Sequence, residues 1–81
     1  MKDKQVRRLI MQNLPTTIDG QASKIYLKIA VQQDALSLGD AVSDQQFREM
    51  LHELNRHQML VVFEDGFVKP TTAGLRGYKA V

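Results

Sequence analysis

The sequence predicts a small α+β fold in which three helices precede a β-hairpin and a short fourth helix. Two observations predict it: an apolar stripe at helical spacing within residues 43–58, and two β-prone runs joined by Asp65-Gly66. With 81 residues, the chain is expected to form one domain spanning residues 1–81, because so short a chain leaves no room for a second core.

The first helix is expected over residues 2–14. It should end before Pro15, since a proline disfavours helical conformation in the residue that precedes it. The next residues, 16–18, are a candidate for a third, edge strand beside the hairpin. The apolar residues at helical spacing in the first helix are Val6, Leu9, Ile10 and Leu14.

The second helix is expected to begin at an Asp19 N-cap, run to about Leu36 and close near Gly39, where glycine accepts the left-handed conformation. Apolar side chains occupy more than half of its circumference. It is therefore either wholly buried or shares a second face with another chain. The residues that fall outside the face expected to meet the other helices, and that would form an exposed interface strip, are Tyr26, Leu27 and Val31.

The third helix has the strongest start signal. Ser43 and Gln46 have the spacing of a capping box, and Val42 and Phe47 that of a hydrophobic staple. Its inward stripe is expected to be Phe47, Met50, Leu51 and Leu54.

The hairpin strands are expected at residues 60–63 and 67–68, with Asp65-Gly66 in a two-residue type I′ turn. Pro70 should end the second strand. Thr71 should then cap a last helix that extends through Tyr78 and is weakened by Gly74 and Gly77.

This order of elements is the skeleton of a winged helix. Residues 43–78 resemble the winged helix-turn-helix domains of the bacterial MarR and related regulator groups, which include small bacterial and phage regulators. Such domains show two spaced leucines in the recognition helix and a wing that closes on a Tyr-x-Leu-Thr-x-x-Gly signature. Val68 stands here in place of the aromatic residue, and Pro70 in place of the leucine. The matching residues are Leu51, Leu54, Leu60, Thr71 and Gly74.

The resemblance implies a DNA-binding or transcription-associated protein, with the third helix in the major groove. Its exposed residues suit base or phosphate contacts, since glutamine pairs well with adenine and arginine with guanine. These residues are Ser43, Gln45, Gln46, Arg48 and His52. The basic residues proposed to bind phosphates are Arg7, Arg8, Lys24 and Lys28.

Charge is segregated along the chain, and this leaves a second reading open. The net charge is +2, but residues 1–33 carry +4, residues 34–66 carry −5 and residues 67–81 carry +3. Asp44, Glu49 and Glu53 share the surface of the third helix, and carboxylates repel a polyanion. The alternative is therefore a protein-interaction or homodimerisation module, in which the acidic third helix and hairpin face a partner chain.

Other function classes are not expected. Catalysis needs several groups held around a concave site, and no such constellation is evident, so we expect no enzyme, cofactor or small-molecule substrate. His52 and His57 are five residues apart and cannot share a metal as an i, i+4 pair can. The absence of cysteine and of a long apolar stretch predicts a cytoplasmic protein without a membrane segment.

Overall fold

The architecture is α+β, with helices packed beside a small antiparallel sheet. It was obtained as a computed structural model that describes residues 1–15 and 20–77. The sheet has the order β1-β3-β2, with β3 antiparallel to both neighbours. Within the described ranges the elements are α1 (Asp3–Asn13), β1 (Ala22–Ser23), α2 (Lys24–Ser37), α3 (Asp44–Arg56), β2 (Leu60–Val62), β3 (Phe67–Pro70) and α4 (Thr72–Gly77).

The central strand β3 connects the hairpin to the start of α2. Val68 is fully buried and pairs with Val62 on one side and Ala22 on the other. The third strand is thus supplied by β1, and the segment 16–18 predicted for that role lies outside the described residues.

The start of α2 differs from the prediction, because the chain passes through β1 before it turns into the helix. Ser23 is the N-cap, and its Oγ accepts a hydrogen bond from the Tyr26 amide at 3.5 Å. The prediction that Asp19 caps this helix is therefore wrong; Asp19 itself lies outside the described residues. At the other end Gly39 has φ +76°, as the predicted helix closure requires.

At the start of α3 half of the predicted capping box is present. Ser43 Oγ accepts from the Gln46 amide at 3.0 Å. The Gln46 side chain does not return to the Ser43 amide; its Nε2 instead donates to the Met1 carbonyl and to Asp3 Oδ1. The reciprocal bond was wrongly predicted because Met1 and Asp3 offer acceptors that the local sequence does not reveal.

The hairpin turn is one residue longer than predicted. Gly66 has φ +88°, and Asp65 does not have the positive φ that a type I′ turn requires. Gly66 N donates to Phe63 O at 3.1 Å, and Phe63 N donates to Phe67 O at 2.9 Å. The loop is therefore of the three-residue kind, with glycine in the left-handed position.

The core is continuous and joins the helices to the sheet. The predicted stripes of α1 and α3 are confirmed as buried. The expected exposed strip on α2 is wrong for Leu27 and Val31, which are fully buried, whereas Tyr26 is exposed. The buried apolar residues are Val6, Leu9, Ile10, Leu14, Leu27, Val31, Ala35, Val42, Phe47, Met50, Leu51, Leu54, Leu60 and Val68.

The last helix is fixed to the residues before β2 through Thr71. Thr71 Oγ1 accepts from the Gly74 amide at 2.9 Å, which confirms the predicted cap, and the same hydroxyl donates to the Gln58 carbonyl. The Thr71 amide donates to Met59 O at 3.2 Å. The structure describes α4 as far as Gly77, and the predicted extension through Tyr78 lies outside the described residues.

Candidate nucleic-acid interface

Two adjoining clefts bring together basic residues from α2 and α3. Lys24 and Arg48 line both clefts. The first, of about 260 Å³, is also lined by Lys28, and the second, of about 350 Å³, by His52. We refer to Lys24, Lys28 and Arg48 as the basic cluster.

Helix geometry and one tertiary hydrogen bond produce this convergence. Lys24 and Lys28 are one turn apart on α2, and Arg48 and His52 are one turn apart on α3, so each pair projects from one side of its helix. The Lys24 amide donates to Gly66 O at 2.8 Å, which ties the first turn of α2 to the hairpin loop. The hairpin therefore closes the second cleft beside the exposed side of α3.

Asp44 places a negative charge at the first cleft. Its Oδ1 accepts from Gln32 Nε2 at 2.7 Å, and its Oδ2 lies 3.6 Å from Lys28 Nζ. The pKa of Asp44 is lowered, first by the Gln32 hydrogen bond and then by the charges of Lys28 and Arg48. Asp44 is therefore ionised at neutral pH and offsets part of the positive charge of the basic cluster.

The other carboxylates of α3 also have partners on the same helix. Glu49 accepts from Gln45 Nε2 at 3.0 Å. Glu53 contacts His57 Nε2 at 3.0 Å and Arg56 Nη2 at 2.7 Å, and these two hydrogen bonds lower its pKa. The pairing of Glu53 takes place in the last turns of α3, away from Arg48 near its start.

Three polar residues predicted to face DNA from α3 have other roles or partners. Ser43 is the N-cap, and the Gln46 amide group is directed at Met1 and Asp3. These two side chains serve the fold. Gln45 is exposed, and its Nε2 donates to Glu49, one turn away on the solvent side of α3.

Arg7 and Arg8 lie in a different place from the basic cluster. They line a third cleft, of about 210 Å³, that shares no lining residue with the other two. Arg7 Nη1 is also 3.5 Å from Met50 Sδ. The predicted set of phosphate-binding residues is thus divided between two sites.

Asn55 and Phe63 line the second cleft and were not singled out by the sequence analysis. Phe63 is 42% exposed beside the hairpin loop. An aromatic residue at the end of a predicted strand, next to the predicted turn, is a signal that was present in the sequence. Its position against α3 depends on how the hairpin docks, which the sequence does not reveal.

The described residues contain no group of three His, Asp or Glu side chains that could hold a metal ion. Across residues 1–15 and 20–77, no helix combines the length and apolar character needed to span a membrane. No protein-family model, curated protein or solved structure matches the chain.

Proposed function

We propose that this chain is a winged-helix protein that binds double-stranded DNA through the exposed side of α3. The observation that carries the proposal is the convergence of Lys24, Lys28 and Arg48 on two adjoining clefts beside that helix. Positive side chains grouped on one surface can neutralise neighbouring phosphates and so supply most of the affinity of a small DNA-binding domain.

The arrangement of elements supports the proposal. Helix, strand, helix, helix and hairpin follow one another, and the short first strand joins the hairpin in one sheet. This agrees with the order expected for a winged helix whose third helix enters a major groove. The inner side of α3 is buried in the core and its outer side is polar, so the helix can present side chains without losing its packing.

The side chains divide into two roles in this proposal. Lys24 and Lys28 contact phosphates and fix the position of the protein on the duplex. Arg48, Gln45 and His52 lie on the exposed side of α3, where they can reach base edges.

Binding that depends on neutralised phosphates weakens as salt rises, with a slope proportional to the number of phosphates contacted. Neutralising about three phosphates gives a slope of about −2.7 for the logarithm of affinity against the logarithm of salt concentration. Between about 50 and 200 mM salt the affinity should therefore fall about 40-fold.

The proposal is tested by fluorescence anisotropy on a labelled duplex with two triple variants. Lys24→Ala/Lys28→Ala/Arg48→Ala should abolish binding at about 50 mM salt, because it removes the cluster. The control Lys4→Ala/Lys69→Ala/Arg76→Ala removes the same charge from residues that line none of the three clefts. It should retain most of the affinity.

Equal losses in the two triple variants would mean that net charge, and not this surface, binds DNA. A third variant, Arg7→Ala/Arg8→Ala, reports on the separate arginine cleft and should change the affinity less than the cluster variant does. If the unmodified protein binds no duplex at low salt, the interaction-module alternative takes precedence.

A further inference from the structure

The second cleft, of about 350 Å³, lies between α3, the β-hairpin and the start of α2. Leu51 is 2% exposed and Val62 packs against the core, so these two residues give the cleft an apolar floor. One aromatic ring and several polar groups surround it. An apolar cleft with a few polar groups is the usual form of a small-ligand site, and its volume is near the lower end of the usual range of about 300–1,000 Å³.

Phe63 offers an aromatic surface on the β-hairpin side of this cleft. It is 42% exposed. Hydrogen bonds fix its backbone, since Phe63 N donates to Phe67 O at 2.9 Å and Phe63 O accepts from Gly66 N at 3.1 Å. A ring on a fixed backbone can stack on the face of a planar ligand at a small cost in ordering.

Three polar side chains of the second cleft are available to a ligand. Within residues 1–15 and 20–77, no hydrogen bond joins the side chain of His52, Asn55 or Glu64 to another protein group. The amide group of asparagine both donates and accepts, whereas an ionised carboxylate only accepts. The cleft can therefore recognise a planar ligand through hydrogen bonds at its edge.

Glu64 indicates which part of a nucleic acid enters the cleft. A carboxylate repels phosphate, but it accepts hydrogen bonds from the amino group of a base. Lys24 and Arg48 line the first cleft as well as the second, and they supply positive charge for a neighbouring phosphate. The second cleft thus matches a base whose phosphate lies at these shared cations.

A base inside a duplex cannot enter such a cleft. Its faces are stacked on neighbouring bases and its Watson–Crick edge is paired with the opposite strand. An unpaired base exposes a face and this edge together, and stacking on aromatic side chains is typical of the recognition of single strands.

We infer that the second cleft binds an unpaired base at the end of a DNA duplex, stacked on Phe63 and contacted at its edge by Glu64 and Asn55. The inference rests on the proposed function, because the basic cluster holds the adjoining duplex. Cytosine fits best, since its amino group donates to a carboxylate and its ring nitrogen accepts from an amide. Thymine has a carbonyl oxygen where cytosine has the amino group, and a carboxylate repels that oxygen.

Stem-loop DNA duplexes with one open end provide the test, with binding measured by fluorescence anisotropy at about 50 mM salt. The open end is blunt or carries two unpaired cytidines, on the 3′ strand or on the 5′ strand. With the preferred polarity, the overhang should raise the affinity of the unmodified protein about tenfold over the blunt duplex, through stacking on an aromatic ring.

Phe63→Ala tests the stacking surface. It should reduce the ratio of overhang affinity to blunt affinity to about one, because the ring is lost. Phe67→Ala is the matched control, since Phe67 is 36% exposed on the same β-hairpin and lines none of the three clefts. It should keep the ratio at about ten. Circular dichroism of both variants verifies that they are folded.

Overhangs of two thymidines test the role of Glu64. The unmodified protein should bind the cytidine overhang about fivefold more tightly than the thymidine overhang. Glu64→Gln should remove this preference, because glutamine can both donate and accept. Asp65→Asn makes the same change in charge at the next residue, keeps an oxygen that accepts from Phe67 N, and should leave the preference intact.

The outcomes separate the inference from the proposed function. An overhang that adds nothing to the affinity of the blunt duplex would overturn the inference and leave the proposed function standing. Equal effects of Phe63→Ala and Phe67→Ala would also overturn it, and equal affinities for the two overhangs would overturn the contact with Glu64. No binding to any of these duplexes would overturn both the inference and the proposed function.

Discussion

Two carboxylates limit the positive charge at the proposed DNA surface, since Asp44 lines the first cleft and Glu64 the second. Asp44 has the clearer effect. It holds Lys28 Nζ at 3.6 Å and is ionised at neutral pH, because the Gln32 hydrogen bond and the neighbouring cations lower its pKa. A phosphate approaching Lys28 must therefore compete with a carboxylate that is already present. The surface is positive, but less so than its cations alone would make it.

Replacing this carboxylate should strengthen DNA binding. Asp44→Asn keeps an oxygen that can accept from Gln32 and removes the negative charge beside Lys28. We expect the affinity for duplex DNA at low salt to rise about fivefold, since one more cation is free to neutralise phosphate. Fluorescence anisotropy measures the change.

The matched control is Asp3→Asn on α1, which makes the same change in net charge away from the basic cluster. It should raise the affinity less than twofold, because salt screens the interaction between a distant charge and the bound phosphates. Equal gains from the two variants would show that the pairing of Asp44 with Lys28 has no particular role.

At the scale of single elements, the contact of α4 with the chain before β2 leaves no space for a side chain at Gly74. A Cβ at Gly74 would lie 1.8 Å from the Met59 carbonyl oxygen and 2.8 Å from its carbonyl carbon. Real Cβ atoms do not approach backbone so closely. Gly74 is therefore required because α4 packs directly against the backbone of Met59.

Gly74→Ala should destabilise the fold by about 2–4 kcal/mol, because α4 must move away from Met59 to accommodate the methyl group. Gly77→Ala is the control. Its Cβ would meet only the flexible end of the Met59 side chain, at 3.1 Å, and alanine is favoured over glycine in a helix by about 1 kcal/mol. Urea unfolding followed by circular dichroism compares the two. A loss from Gly74→Ala no larger than that from Gly77→Ala would contradict the close packing.

Elements whose signals are local were predictable from the sequence. The Ser43 cap, the closure at Gly39, the Thr71 cap and the stripe of α3 each depend on residues within a turn or two of one another. Strand β1 was not predictable, because it has two residues and exists only through pairing with β3. The same reason explains the wrong N-cap prediction, because α2 begins directly after β1 with Ser23 as its cap.

The candidate site was predictable as a list of residues but not as a surface. Lys24, Lys28, Arg48 and His52 were all named from the sequence, yet their convergence depends on how α2 and α3 cross. Arg7 and Arg8 carry the same charge and lie in another cleft. Helix α2 presents the same difficulty with apolar residues. Leu27 and Val31 are buried whereas Ile25 and Ile29 are exposed, and only the packing of the helix in the whole fold decides this.

At the scale of the whole molecule, the sum of charges in a segment of the sequence differs from the charge that the segment presents at the surface. The middle third of the sequence is strongly acidic, but several of its carboxylates are paired in the fold. Asp40 lies 3.2 Å from the N-terminal ammonium group, Asp44 pairs with Lys28, and Glu53 pairs with Arg56. The acidic segment therefore presents less negative charge near α3 than its composition indicates.

The most direct test of the DNA-binding account is an NMR titration of the uniformly ¹⁵N-labelled protein with a short duplex at low salt. The account predicts that amide shifts cluster in residues 24–28 and 45–52 and that the addition of salt reverses them. Shifts confined to the surroundings of Arg7 and Arg8, or no shifts at an excess of duplex, would contradict it.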